Sequence, residues 1–286
     1  LLRYKKTVYK FRIYAFIFGL SIGAIMTTKV NGLIVVLLIP MIIWKLYPST
    51  QKISEFISLM LLGFILVYVG VWHTHFSIGS IINPSLPDAG YYKASSEYIY
   101  VLNSGENGSI KNFSLMLKDH LAFLPHYERG VPRLDLCKTG ENGAPWFLWP
   151  FGARTINYRW WTPSSPPVYS YLYMVPNPVG WLFGLLGLIM ATSLLLASVF
   201  MSLKEKLKYR FEMTTFLMIY IGYMAVMSRI DRVMYLYHYF IPLMISFILF
   251  AICVMEIRSF FKISLNAQKK MIIATVCGLL IFGGYQ

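Results

Sequence analysis

Long hydrophobic runs alternate with short polar segments along most of the chain, and one long polar stretch separates the first runs from the later ones. A helix needs about 17 to 25 mainly apolar residues to cross a bilayer. The pattern therefore predicts an all-α membrane protein, a multispanning bundle of about seven transmembrane helices with one large extracytoplasmic loop. The predicted spans are 12–28, 31–48, 54–76, 178–202, 213–229, 234–257 and 270–286.

These runs divide the chain into three predicted regions. Residues 1–76 hold three transmembrane helices, 77–177 form the extracytoplasmic loop subdomain, and 178–286 hold four more helices, the last one truncated. The chain is accordingly expected to be a fragment of a longer protein. The loop is rich in aromatic residues, which favours an ordered subdomain. Its spacing predicts helices over 93–102 and 112–124, and its Pro-rich stretch 162–167 predicts a linker back to the membrane.

Charge supports this topology. Only 13% of the residues are charged, against about 25% in soluble domains. The net charge of +14 would favour a nucleic-acid partner in a soluble protein, but here the basic residues fall between hydrophobic runs, so no such partner is expected. With residue 1 in the cytoplasm, the inside segments carry 15 Lys and Arg and the short outside turns carry three. This bias places the large loop outside the cytoplasm.

Cysteine and metal-ligand patterns add little. The three cysteines form no CxxC pair, and no His, Cys, Asp or Glu spacing matches a metal motif. The sequence therefore predicts no disulfide framework, no metal site and no cofactor.

An aromatic segment in the loop is the first candidate site. Trp146 and Trp149 lie shortly before Arg154 in the sequence WFLWPFGAR. An Arg beside aromatic rings can bind a phosphate through its planar fork while the rings stack on a sugar. The alternative is an interfacial aromatic anchor with a snorkelling Arg.

A short outside turn before the sixth predicted span is the second candidate. Arg229 and Arg232 oppose the inside-positive bias there, and His238 follows near the start of the next span. The two arginines could clamp a phosphate or form a local ion pair with Asp231. A polar residue within a span indicates a functional site by default, although a structural, hydrogen-bonded His is equally compatible with the pattern.

Two further segments carry charge. Lys29 lies in the outside turn between the first two spans, where it could bind phosphate as a point charge or simply cap a helix end. Residues 124–135 bring His126, Glu128 and Asp135 close together. These groups could perform acid–base chemistry, or form a charged and internally paired loop surface.

Four parts of the chain carry a family resemblance. They are GLSIGAIMTTKVNGL at 19–33, VWHTHF at 71–76 with PDAGYY at 87–92, WPFGAR at 149–154 with PNPVGW at 176–181, and RVMYLYHYF at 232–240. The last is the most specific. Together they resemble the protein O-mannosyltransferases, multispanning C-type glycosyltransferases that use a polyprenyl-phosphate sugar. Val30-Asn31 and Val175-Pro176 depart from the family pattern.

The resemblance covers nearly the whole chain and corresponds to the C-terminal part of a prokaryotic-type member, since the loop lacks the β-trefoil repeats of eukaryotic members. It implies transfer of mannose from a polyprenyl-phosphate donor to Ser/Thr hydroxyls of an acceptor protein. The site would lie outside the cytoplasm, in a multi-pass protein of a bacterial or archaeal plasma membrane, surrounded by membrane lipids. The family's catalytic Asp is expected upstream of Leu1, so the fragment is expected to be inactive alone.

This hypothesis assigns roles to eight residues. The donor phosphate would be bound by Arg154, Arg229, Arg232, Lys29, His238 and Tyr237. Trp146 and Trp149 would contact the sugar or the acceptor. Two alternatives stay open: a related transferase that moves a lipid-linked sugar such as aminoarabinose onto a lipid acceptor, and a non-enzymatic membrane transporter. The absence of a mid-membrane carboxylate from the predicted spans counts against a proton-coupled transporter.

Overall fold

The computed structural model describes residues 8–79, 94–161, 170–200 and 207–261, together with positions 270, 273 and 277. The chain forms two compact units, 1–132 and 133–286. The boundary between the units falls within the predicted loop 77–177.

The regular elements that the structure describes in unit 1 are all helices. They are α1 (Val8–Thr28), a 3-10 helix (Val30–Leu37), α2 (Leu38–Leu46), α3 (Thr50–Ile78), α4 (Ser96–Asn103) and α5 (Ile110–Gly130). The helices over 96–103 and 110–130 confirm the two that the loop spacing predicts.

Close contact between α1 and α3 organises the membrane part of unit 1. A Cβ added to Gly19 would overlap the carbonyl of Met60, and one added to Gly63 would overlap the carbonyl of Phe16. In a bilayer, where water does not drive helices together, small residues permit the close packing that holds them. Phe11 and Phe56 fill the core beside this crossing.

The α4–α5 pair covers the end of α3. Phe76, Tyr98 and Met116 form a buried cluster. Asn107 Nδ2 donates to the carbonyls of Phe76 and Ser77 at 2.9 and 3.1 Å. These two carbonyls belong to the last turn of α3, which has no intrahelical donors for them, so the side-chain amide terminates α3 and fixes the small helical cap on it.

Unit 2 contains the described strands. Its elements are a 3-10 turn (Trp146–Phe151), β1 (Ile156–Trp161), β2 (Ser170–Met174), α6 (Pro178–Phe200), α7 (Arg210–Met227), a second 3-10 turn (Leu236–Tyr239) and α8 (Phe240–Phe261). The strands pair antiparallel, with Ile156 opposite Met174 and an irregularity between Asn157 and Arg159. The residue pattern does not predict this hairpin, and the Pro-rich stretch 162–167 between its strands lies outside the described residues.

Two contacts fix the helices of unit 2. At the α6–α8 crossing, a Cβ on Gly187 would overlap the carbonyl of Ser246. At the start of α7, the buried carboxylate of Glu256 from α8 accepts hydrogen bonds from the backbone N–H groups of Lys208 and Tyr209, at 3.0 and 2.8 Å. Both N–H groups lie just before Arg210, the first residue of α7, so Glu256 fixes the entry to α7 from a neighbouring helix.

Within the residues that the structure describes, four helices are long and apolar enough to cross a membrane, and they confirm a multispanning helical membrane protein. They are Val8–Thr28, Thr50–Ile78, Pro178–Phe200 and Leu236–Ser259. The predicted span 31–48 is divided between a 3-10 helix and α2, and its apolar helical part, Gly32–Leu46, is shorter than a span. The predicted span 213–229 lies largely within α7, which is not one of the four. Except for three positions, the predicted span 270–286 lies outside the described residues, so the total of seven and the single large loop stay predictions.

Candidate functional site

The segment 232–240, which carries the most specific family resemblance, forms the entry into α8; it is called the signature turn below. Residues 236–239 form a 3-10 turn, and α8 begins at Phe240. Leu236, His238 and Tyr239 are buried. His238 therefore lies in the turn before the helix, whereas the sequence placed it about one turn inside.

The imidazole of His238 is oriented by its own turn. Its Nδ1 lies 3.0 Å from the carbonyl oxygen of Tyr235 and 3.2 Å from the backbone nitrogen of the same residue. Because the two ring nitrogens are distinct and Nδ1 is engaged locally, any contact that His238 makes with a ligand must use Nε2. The main chain is fixed as well, since Tyr223 Oη donates to the His238 carbonyl at 2.7 Å.

Aromatic rings surround this imidazole. The Tyr237 ring stacks on it with centroids 4.5 Å apart and an interplanar angle of 22°. The indole of Trp149 lies nearly parallel to it, at 6.1 Å and 15°. Trp149 has no exposed surface. The structure thus brings three sequence-predicted residues, Trp149, Tyr237 and His238, into one cluster.

Hydrogen bonds join the aromatic segment 143–154 to the signature turn. The Ala144 N–H donates to the Met234 carbonyl at 2.7 Å, and Trp149 Nε1 donates to the Ala144 carbonyl at 2.9 Å. Trp181, in the first turn of α6, donates from Nε1 to the Trp149 carbonyl at 2.8 Å. Three segments that are far apart in the sequence therefore meet around one buried indole.

Arg154 lies at the end of this segment in an uncommon conformation. Its φ is 59°, in the left-handed region that few residues other than Gly adopt. Its Nη1 donates to the Gly143 carbonyl at 3.1 Å, and the residue is exposed. The guanidinium carries five N–H donors, so this bond holds Arg154 beside the aromatic segment and leaves donors for a phosphate.

The two other arginines of unit 2 differ in exposure. Arg229 follows the end of α7 and is exposed, whereas Arg232 is half-buried at the start of the signature turn. Asp231, between them, pairs with Arg133, whose Nε lies 3.3 Å from Asp231 Oδ2. Both members of this pair are largely exposed, so the pair contributes little stability.

The remaining predicted residues are Lys29 and Trp146. Lys29 belongs to unit 1, where it is exposed and occupies the N-cap position of the 3-10 helix that follows α1, without a side-chain capping hydrogen bond. Trp146 is partly exposed and lies edge-on to Phe147, with ring centroids 5.9 Å apart. A sugar contact by Trp146 or Trp149 stays a prediction. The Trp149 ring has no exposed surface in this structure.

Sequence reasoning missed the residues that support the cluster from α7. Tyr220 and Tyr223 lie on one face of that helix, three residues apart, and both are buried. Tyr220 Oη lies 3.1 Å from Tyr239 Oη, which extends the polar contacts behind His238. The available signal was the presence of two tyrosines at helical spacing inside a hydrophobic run, because polar groups within a membrane helix usually have a partner.

Unit 1 contains a second cluster with titratable groups. The ring of His120 on α5 lies 4.0 Å from that of Trp72 on α3, and His75 packs edge-on to the same indole at 5.4 Å. Burial, followed by repulsion from His75, lowers the pKa of His120 from its ordinary value, and Asp119 partly opposes this shift. Among the residues that the structure describes, no group of three or more His, Cys, Asp or Glu could hold a metal ion.

Comparison with known proteins shows the family of this chain. The family model described as the C-terminal four TMM region of protein-O-mannosyltransferase matches residues 135–286, which is more than half of the chain. The match includes both the aromatic segment and the signature turn. No curated protein and no solved structure matches the chain. The chain therefore belongs to the protein-O-mannosyltransferase family, a family of glycosyltransferases.

Proposed function

We propose that this chain supplies the donor-phosphate site of an enzyme that transfers mannose from a polyprenyl-phosphate to Ser/Thr hydroxyls of an acceptor protein. Family membership supports the class of reaction. The observation that carries the site assignment is the cluster around His238, whose ring orientation is set by Tyr235, Tyr237 and Trp149. A residue held this firmly can present Nε2 in one direction, which preorganised catalysis requires.

The proposed chemistry requires cationic hydrogen-bond donors that stabilise the leaving phosphate. The acceptor hydroxyl oxygen forms a bond to the anomeric carbon of mannose while the bond from that carbon to the phosphate oxygen breaks, with inversion. The hydroxyl proton passes to a base, which the family resemblance places in an Asp outside this chain. The polyprenyl phosphate leaves with its negative charge, and hydrogen-bond donors aimed at that charge lower the barrier.

Three arginines of unit 2 are proposed to provide these donors. Arg154 is exposed and anchored at Gly143, and Arg232 opens the signature turn beside Val233 and Met234. Arg229 precedes the same turn. An Arg can bind a phosphate through two parallel hydrogen bonds, which a Lys cannot match. Lys29, in unit 1, is proposed separately to bind phosphate as a point charge.

The location of the reaction is part of the proposal. The excess of Lys and Arg in alternate short segments supports an extracytoplasmic position for residues 77–177. Polyprenyl-linked sugars would then be used on the outer face of a bacterial or archaeal plasma membrane, where acceptor proteins emerge.

Mannosyl transfer by the full-length protein tests the proposal. The assay uses polyprenyl-phosphate-mannose and a Ser/Thr-rich peptide in detergent, and compares wild type with Arg232→Ala, Arg232→Lys and His238→Ala. Loss of one positioned donor to the leaving phosphate is expected to lower kcat by about 10²-fold or more. Arg232→Lys is expected to fall between the wild type and Arg232→Ala, because it keeps the charge and loses the fork.

Arg258→Ala is the matched control. Arg258 lies in the last turn of α8, at the end opposite the signature turn, so its loss should leave transfer unchanged. Gel filtration and circular dichroism establish that each variant is folded. Full activity in folded Arg232→Ala and His238→Ala would refute the site assignment. Absence of transfer by the wild type, with transfer to a lipid acceptor or robust flux across proteoliposomes instead, would refute the protein-mannosylation proposal.

A further inference from the structure

Two exposed aromatic side chains of unit 2, Phe147 and Phe151, have no role in the proposed transfer. In the 3-10 turn Trp146–Phe151, Trp149 points inward with no exposed surface, whereas Phe147 is 51% exposed and Phe151 is 67% exposed. Val175, just after β2, is 51% exposed. Large apolar side chains that cluster at a surface usually mark a contact with a protein or a membrane.

This turn is attached to the point where a membrane helix begins. Trp181 in the first turn of α6 donates to the carbonyl of Trp149. A Cβ on Gly152, which directly follows the turn, would lie 2.9 Å from Cγ of Pro176. Since α6 begins at Pro178 and is long and apolar enough to span a bilayer, the turn lies at the level where α6 enters the membrane.

The lipid-facing surface of α6 starts immediately after these contacts. Leu182, Ile189 and Leu196 are exposed and are spaced seven residues apart, so they line one face of the helix. Leu182 follows Trp181 directly. The exposed apolar side chains of the turn are thus followed along the chain by the face of α6 that a bilayer must cover. No charged residue of α6 interrupts this face.

Charge and composition in this region favour phospholipid over a soluble partner. Residues 142–181 contain no Asp or Glu, two Arg, and five of the seven Trp of the chain. Aromatic rings concentrate at membrane–water interfaces, where their apolar bodies and polar edges are both accommodated. Carboxylates would be repelled by the phosphates of anionic lipids, whereas arginines are attracted to them.

We propose that the turn Trp146–Phe151 is a membrane-inserted wedge, with Phe147 and Phe151 buried in phospholipid at the membrane face where α6 begins. The partner is the bilayer itself. Because Trp149 lies in the same turn and stacks beside His238, insertion holds the signature turn at the depth of the lipid headgroups. The inference does not depend on which reaction the protein catalyses.

Depth-dependent fluorescence quenching tests the wedge. The full-length protein, with Cys137, Cys253 and Cys277 replaced by Ala, is reconstituted into phosphatidylcholine–phosphatidylglycerol nanodiscs. A nitrobenzoxadiazole label is attached to Phe147→Cys or Phe151→Cys. The control is Leu136→Cys, because Leu136 is similarly exposed but lies in a polar turn between Asp135 and Cys137.

The expected result is blue-shifted emission at positions 147 and 151, quenched by a lipid nitroxide placed near the headgroups and protected from aqueous iodide. The label at 136 should show the opposite behaviour. Three outcomes would overturn the proposal: iodide access at 147 and 151 equal to that at 136, protection from both quenchers, which would mean that protein covers the turn, or equal lipid quenching at all three positions. Two label sites in the turn keep the test valid if one variant fails to fold.

Discussion

Trp149→Phe is the sharpest perturbation of the His238 cluster. It keeps an aromatic ring next to His238 but removes the Nε1–H that donates to the Ala144 carbonyl at 2.9 Å. Ala144 is fully buried, and its N–H donates to the Met234 carbonyl of the signature turn. The substitution therefore disturbs the link between the aromatic segment and the turn without removing the stacked ring.

The magnitude follows from two effects. Loss of a donor to a buried carbonyl costs about 1 to 3 kcal/mol. Trp149 has no exposed surface, so the volume lost from the smaller ring leaves a cavity that costs roughly 1 to 2 kcal/mol more. The total of about 2 to 5 kcal/mol corresponds to a fall of roughly 4 to 20 °C in Tm for a unit of this size.

Thermal denaturation in detergent and hydrogen exchange of a peptide covering 232–240 measure the effect. Trp146→Phe is the stability control, because Trp146 lies in the same turn, is partly exposed, and makes an edge contact with Phe147. We expect a lower Tm and faster exchange at 232–240 for Trp149→Phe alone. Equal Tm values for the two variants, or unchanged exchange at 232–240, would refute the inference that Trp149 holds the signature turn.

Three other predictions concern the scaffold. Gly187→Leu should prevent the close approach of α6 and α8, because the new side chain would overlap the Ser246 carbonyl. Crosslinking of cysteines placed across the α6–α8 pair should then be lost. The same crosslinking should persist in Gly70→Leu, because the space around Gly70 is open. Glu256→Ala should expose the start of α7 to proteolysis, and Glu256→Gln should do so less, because an amide oxygen still accepts one of the two N–H bonds. The lowered pKa of His120 means that the unfolded state binds more protons. The stability of the α4–α5 cap is therefore present above the ordinary His pKa of about 6.5 and is lost as pH falls towards the folded value. Hydrogen-exchange protection of α5, corrected for the intrinsic pH dependence of amide exchange, should fall over that range; pH-independent protection in wild type, or the same dependence in His120→Phe, would contradict this.

Much of the fold could be predicted because the bilayer imposes simple rules. Backbone polar groups cannot remain unpaired in lipid, so long apolar runs must be helices, and the runs at 12–28, 54–76, 178–202 and 234–257 coincide with the four apolar helices. The spacing in the loop likewise predicted α4 and α5. The β1–β2 hairpin escaped prediction because its pairing depends on residues that approach each other only after folding.

The candidate site, like the fold, could be predicted from the sequence only in part. The sequence by itself determined that the chain is a helical membrane protein of the protein-O-mannosyltransferase family, because hydrophobic length and the motif at 232–240 are local properties. Only the tertiary structure decided that Trp149 is buried next to His238, that Trp181 and Tyr223 support that cluster, and that Asp231 pairs with Arg133. These contacts join segments separated by many residues, and their partners are set by how the helices and turns pack, which no local pattern of residues encodes.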